Sequence, residues 1–286
     1  MREFQTEQEF IELLSHFNLG EKVIEDFRQL FRKGVSGDGD SLVKIAEFFH
    51  EAVIYQNAFA FYMLAAKMQH PEALYMLGNY AYEGLVEKEN NRKAFKYYEQ
   101  AAELGHADAM NNLADMYLNG EGIGQDDRLA LYWFEKAAEQ GVVEAMFTLG
   151  IMYEQGLGMP INYEQALSYY KEAASGGDLE AMYRVGTIYM TPLLHVEQDL
   201  SIALHYFKQA AQEEHLDSVF NLGYMYENGV GVEVDGEQAL MYYEIAADYD
   251  DISAIQAIIR LYLEGKVIQR DDLMAQRWKR RLKFEG

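Results

Sequence analysis

The 286-residue chain contains no cysteine. That absence rules out a disulfide framework and any thiolate metal site. Proline is nearly missing as well, three in all, which suits a chain that is helical almost throughout. Long apolar runs are lacking: the longest, AFAFYMLAA at 58–66, has nine residues, far short of the ~20 a membrane span needs. Positive charge is scarce, with 24 Lys and Arg against 47 Asp and Glu, a formal charge of −23. This is the wrong sign for a nucleic-acid backbone or an anionic membrane surface, and it favours basic or neutral protein partners. Residues 266–286 reverse the trend with a net of +4, so residues 1–265 carry −27. The start, MREFQTEQEFIELL, holds acids where a signal peptide needs a basic and then an apolar region. The expected location is therefore the cytoplasm.

Half of the chain is hydrophobic, enough for a substantial core, and the pattern is periodic. Ala-Ala recurs at 65–66, 101–102, 137–138, 173–174, 210–211 and 246–247, in steps of 36, 36, 36, 37 and 36. Seven residues before each pair stands Ala58, Ala94, Ala130, Ala166, Ala203 or Ala239, and Ala275 opens a seventh copy. A further column reads Leu77, Leu113, Leu149, Val185, Leu222 and Ile258, and four residues on come Ala81, Tyr117, Tyr153, Tyr189, Tyr226 and Tyr262. Glycine recurs at 84, 120, 156, 229 and 265. Within one unit, Ala109, Leu113 and Tyr117 fall on one helical face, and Gly120 follows as a left-handed cap. Ala130, Trp133, Phe134, Ala137 and Ala138 form the stripe of a second helix, which begins with acids and ends in glycine. The small alanines let two helices approach closely, while the aromatics fill space between neighbouring units. LNGEGIGQDD at 118–127 is then the turn between the two helices. Its G-x-G-x-G spacing, with no following Lys-Ser or Lys-Thr, does not match a phosphate-binding loop.

These columns resemble the Sel1-like repeat family, relatives of the tetratricopeptide repeats: A-x-x-x-L-G-x-x-Y-x-x-G, a G-x-G loop, then A-x-x-(Y/W)-(Y/F)-x-x-A-A, followed over residues 38–283. The resemblance implies an all-α solenoid of about seven repeats, a right-handed superhelix of antiparallel helix pairs with the first helix of each pair lining a concave side. It also implies a role in holding other proteins together. The expected layout is an N-terminal helical extension (1–37) and a solenoid (38–286) that includes a C-terminal capping helix. In the extension, residues 3–18 and 21–33 read as two amphipathic helices, which either dock on the first repeat or move freely as an arm. The first copy has a shorter loop and reads as a cap. The fifth carries TPLLHVEQDL (191–200), one residue longer and with Pro192 in the glycine column, and reads as a tolerated insertion. The last helix exchanges its apolar outer stripe for basic residues, as a solubilising cap does.

No catalytic motif stands out. None of the seven histidines sits in HExxH or beside a ligand at i+4; His70, His106 and His215 share one repeat position and read as turn residues. DGDSLVKIAE lacks the third acid and the glycine of a calcium loop. Asp126–Asp127 and Asp250–Asp251 stand at helix starts, where capping accounts for them. No cofactor or metal is expected. A surface remains. By the resemblance, the concave face is formed by positions two before and two after the Leu column. Asn111, Phe147, Tyr183 and Phe220 come from the first set, and Asp115, Ile151 and Tyr224 from the second. These seven are the candidate partner-binding residues, with an apolar strip flanked by Asp108, Glu144, Glu180 and Asp217. The expectation is a non-catalytic adaptor that binds a protein or peptide with basic and apolar side chains, and neither nucleic acid nor membrane. The alternatives are an immunity protein neutralising a basic toxin, as some bacterial relatives do, and a hydrolase using paired carboxylates.

Overall fold

The computed structural model describes residues 6–17 and 19–282. Residues 3–5 and 18 of the first expected helix, and 283–286 of the expected solenoid, lie outside the described residues. Sixteen helices and no strand occur among the described residues, joined by short turns. They form two compact units, one of residues 1–145 and 157–159, the other of 146–156 and 160–286.

The first unit contains α1 (Glu7–Leu14), α2 (Glu21–Val35), α3 (Gly39–Glu51), α4 (Tyr55–Ala66), α5 (Pro71–Glu83), α6 (Asn91–Glu103), α7 (Ala107–Asn119) and α8 (Asp127–Glu139). Helices α3 and α4, α5 and α6, and α7 and α8 pack as pairs. The two N-terminal helices are docked. Phe10 of α1 is fully buried, stacked on Phe31 of α2 at 4.9 Å and set edge-on to Phe49 and Phe61 of the first pair. Glu7 holds Arg32 through two hydrogen bonds, 2.7 and 2.8 Å, and this pairing keeps its carboxyl below the usual range. Helix α2 runs to Val35 and α3 begins at Gly39, so the glycine-rich stretch after α2 is only a brief turn.

Helix α9 (Val143–Gln155) begins in the first unit, and from residue 146 it belongs to the second. The second unit continues with α10 (Tyr163–Ser175), α11 (Leu179–Met190), α12 (Leu200–Gln212), α13 (Leu216–Asn228), α14 (Gly236–Asp248), α15 (Ile252–Glu264) and α16 (Asp272–Arg281). Again consecutive helices pair, α11 with α12, α13 with α14 and α15 with α16. In α16, Ala275 is buried and Arg281 bonds Asp248 and Asp250 at 3.3 and 2.9 Å, so one basic residue of this helix ties it to the preceding pair.

The alanine columns are buried between helices: Ala130, Ala137, Ala166, Ala203 and Ala239 have no exposed surface. The aromatics sit differently from the sequence expectation, since one ring per pair packs inside its own pair. Tyr170 of α10 lies over Gly150 of α9 and Tyr243 of α14 over Gly223 of α13, where an added Cβ would meet the rings at 2.5 and 2.7 Å. That close approach is why glycine follows leucine in the first helix. The G-x-G turn does two jobs. Gly120 and Gly229 take left-handed conformations (φ 72° and 69°) that cap their helices, while a Cβ on Gly231 would run into Leu200 at the start of the preceding second helix. In the fifth copy Thr191 is extended, and the reversal falls on Leu194 and His195, both left-handed without being glycine.

From α6 on, each second helix starts on an Asn or Asp cap, whereas α4 starts on Ile54. The side chains of Asp126, Asp235 and Asp271 accept from the second and third amides of their helices, and their own amides donate to the carbonyls of Tyr117, Tyr226 and Tyr262. Both ends of the turn are thereby satisfied.

Candidate partner-binding faces

The first helices of each pair carry the candidate residues, and each unit presents its own set. In the second unit, Phe147, Tyr183 and Phe220 are half-buried. Each packs on the aromatic of its own second helix: Phe147 on Tyr170 at 5.6 Å, Tyr183 on Phe207 at 6.0 Å, Phe220 on Tyr243 at 5.3 Å. Ile151 is half-buried against the same unit's core. Tyr224, by contrast, is 43% exposed. Glu180 and Asp217 are exposed, at the starts of α11 and α13.

Between the second unit's first helices lie two polar clusters that sequence reasoning missed. The Tyr170 hydroxyl donates to Glu154 at 2.7 Å, and Arg184 of the next first helix pairs with the other oxygen of the same carboxylate and lies 5.9 Å from the Tyr170 ring. The pattern recurs two pairs further on, where Tyr243 donates to Glu227 at 2.8 Å and Arg260 of α15 donates to it at 2.9 Å. Burial and the adjacent carboxylate push both tyrosine hydroxyls up, so they stay protonated donors. A half-buried carboxylate is stabilised by a nearby cation, and here the chain supplies one. The arginines lie one before and two after the Leu column. With the site of donation changing between copies, no single column shows it.

In the first unit the seven-residue set contributes Asn111 and Asp115, both on α7. Asn111 donates to Asp115 at 3.4 Å, while its own Oδ1 is buried without a partner among the described residues. Beside Asp115 opens a cleft of about 450 Å³, lined by Tyr75 and Asn79 of α5, Tyr98 of α6, and Asn112 and Asp115 of α7, with Glu121 at its edge. Tyr98 donates to Asn79 at 2.7 Å, and Tyr82 to Glu121 at 3.0 Å. Among the described residues no basic nitrogen lies within 4.0 Å of Asp115. Burial, with a smaller push from Glu121, raises its carboxyl to about 6.

The three aligned histidines stand at helix N-caps, and two of them cap with their side chains. His106 and His215 accept through Nδ1 from the amides of Ala109 and Ser218, and Nε2 faces Glu72 and Glu180 of the preceding first helix at 3.0 and 3.2 Å. His70 likewise faces Asp40 at 2.8 Å. They link successive repeats. No group of three or more His, Asp or Glu arranged to hold a metal occurs among the described residues, and no helix there is long and apolar enough to cross a membrane.

The repeat register found in the sequence matches an established family. The model of the Sel1 repeat matches residues 71–106, 107–142, 143–178, 179–215 and 216–250, and the chain belongs to the Sel1 repeat family. Its structure is similar to that of a protective antigen of uropathogenic Escherichia coli with an SLR fold, at a TM-score of 0.84 and 25% identity over 91% of this chain. The match spans 56% of that antigen's length. A Sel1 repeat protein from Oxalobacter formigenes superposes at 0.71 with 28% identity, covering 84% of this chain and 95% of the other. An immunity protein from Pseudomonas aeruginosa gives 0.42 with 23% identity, over 73% of this chain and 80% of that one, too distant to bear on function. No curated protein matches the sequence. Repeats of this fold generally mediate contacts between proteins.

Proposed function

We propose that the chain is a non-catalytic adaptor in which the first-helix faces bind a protein or peptide carrying basic and apolar side chains. The carrying observation is the character of these faces. Tyr224 stands exposed beside half-buried aromatics, the starts of α11 and α13 are acidic, and the chain's charge is −23. An exposed aromatic in acidic surroundings suits an apolar anchor flanked by lysine or arginine. The seven residues Asn111, Asp115, Phe147, Ile151, Tyr183, Phe220 and Tyr224 belong to this proposal, the first two on one unit and the rest on the other. A photoreactive phenylalanine analogue at position 224, and separately at the exposed Tyr132 of α8, tests it in lysate of the source cells. The expected result is a discrete cross-linked protein from position 224 and none from 132. The reverse result moves the binding surface to the second helices.

A further inference from the structure

The two polar clusters of the second unit follow one rule. A tyrosine of the second helix donates to an acceptor on the first helix of its own pair, and the next first helix delivers a guanidinium. Arg184 comes from the position one before the Leu column, Arg260 from the position two after it. In the first unit, α5, α6 and α7 repeat this arrangement up to its last member. Tyr98 occupies the place of Tyr170 and Tyr243, and donates to Asn79. The two positions on α7 that correspond to Arg184 and Arg260 hold Asn112 and Asp115. The chain places a carboxylate where the other unit places its cation, and leaves a cleft of about 450 Å³ around it.

We propose that this cleft receives the guanidinium of an arginine from a partner polypeptide, ion-paired with Asp115 next to Tyr98. The inference rests on the adaptor reading and names one residue of the partner. The lining suits a guanidinium better than an ammonium. Asp115 supplies charge, while the side-chain oxygens of Asn79 and Asn112 accept hydrogen bonds on a second edge. The half-buried Tyr75 provides aromatic surface against which a planar cation packs, with the buried Tyr98 behind it. Glu121, already engaged by Tyr82, adds negative potential at the mouth. Among the described residues Asp115 has a single long hydrogen bond, from a neutral amide, weak compensation for a largely desolvated carboxylate, and a bound guanidinium would complete it.

The test uses the full chain labelled with [methyl-13C]methionine, since Met116 lines the cleft. It is titrated with the peptide acetyl-Gly-Ala-Arg-Ala-Gly-amide and with its citrulline counterpart, which keeps the shape and lacks the charge. Concentrations run to about 10 mM, the range in which one ion pair on a short peptide registers. The arginine peptide is expected to shift the Met116 methyl and to bind at least tenfold more tightly than the citrulline peptide. Asp115→Asn is expected to erase that preference while keeping the parent's helical signal. Equal response to both peptides, response to neither, or a preference that survives Asp115→Asn overturns the proposal. A partner cross-linked at position 224 with Met116 unmoved by arginine removes this cleft alone, whereas absence of any partner at both 224 and 132 removes the adaptor reading itself.

Discussion

At Gly150 two tendencies oppose each other. Alanine in a helix interior is favoured over glycine by about 1 kcal/mol, but its Cβ would meet the buried Tyr170 ring at 2.5 Å. Overfilling a packed core costs about 1–3 kcal/mol, so the steric effect wins. Gly150→Ala should lower the melting temperature, whereas Gly124→Ala, with nothing within 4 Å of its Cβ, should leave it unchanged; calorimetry on both variants checks the pair. Asp115 poses a different conflict. Its folded-state pKa is raised to about 6, so at higher pH the folded state bears a charge it disfavours. As pH falls from about 6 towards the unfolded value near 3.9, the folded state takes up the proton first and that penalty fades. Asp115→Asn should therefore melt above the parent at pH 8, with the gap narrowing as the pH falls through about 6 and closing only near the unfolded value of about 3.9. A gap that widens on acidification would mean that the carboxylate is stabilised in the fold. A residue that weakens the free protein in this way is one whose reward comes from binding.

Among the elements, the N-terminal helices carry the clearest expectation. Phe10 has no exposed surface and contacts four other phenylalanine rings, and truncating such a side chain costs about 3–5 kcal/mol. Phe10→Ala should release α1 into rapid amide exchange and early proteolysis while α5 to α8 remain protected. Uniform protection across the unit would show that contacts other than Phe10, such as buried Leu14 and the pairing of Glu7 with Arg32, suffice to hold α1. The sequence left open whether these helices dock or move, because amphipathicity tells that a face needs covering and not what covers it. The pairs themselves were legible, since the alanine, leucine and glycine columns each report a contact made identically in every copy. The Leu-Gly dipeptide was visible as well, but its reason was not: Gly150 and Tyr170 stand twenty residues apart on different helices, and only the packed pair brings them together. The Tyr–Glu–Arg clusters were hidden for a further reason. Arg184 and Arg260 reach equivalent carboxylates from different columns, so they leave no periodic trace. Of the candidate face, Tyr224 was read as open and is, while Ile151 packs partly into the core. A period-36 pattern fixes which helix a residue belongs to but not the small rotation that decides half-buried from exposed.

For the molecule as a whole, the charge of −23 dictates how binding responds to salt. Exposed charges separated by more than a Debye length, about 10 Å at 0.1 M salt, are screened, and complementary charge acts chiefly on association rate. Affinity for a basic partner should fall as ionic strength rises, mostly through slower association, as surface plasmon resonance at low and high salt would show. An affinity that holds or improves with salt would assign the interface to apolar contacts and the charge to solubility. The central claim is that partners bind through the first-helix faces, and two tyrosines two residues apart on α13, on opposite sides of the helix, test it most directly. Tyr224 is open to solvent; Tyr226 is stacked on Tyr242 at 5.7 Å with Lys208 over its ring at 5.9 Å. The measurement is partner affinity and melting temperature for Tyr224→Ala and Tyr226→Ala side by side. The account predicts that Tyr224→Ala binds at least tenfold more weakly, about 1.4 kcal/mol, and melts with the parent, while Tyr226→Ala melts early. If Tyr224→Ala melts early and binds normally, the face is wrongly assigned.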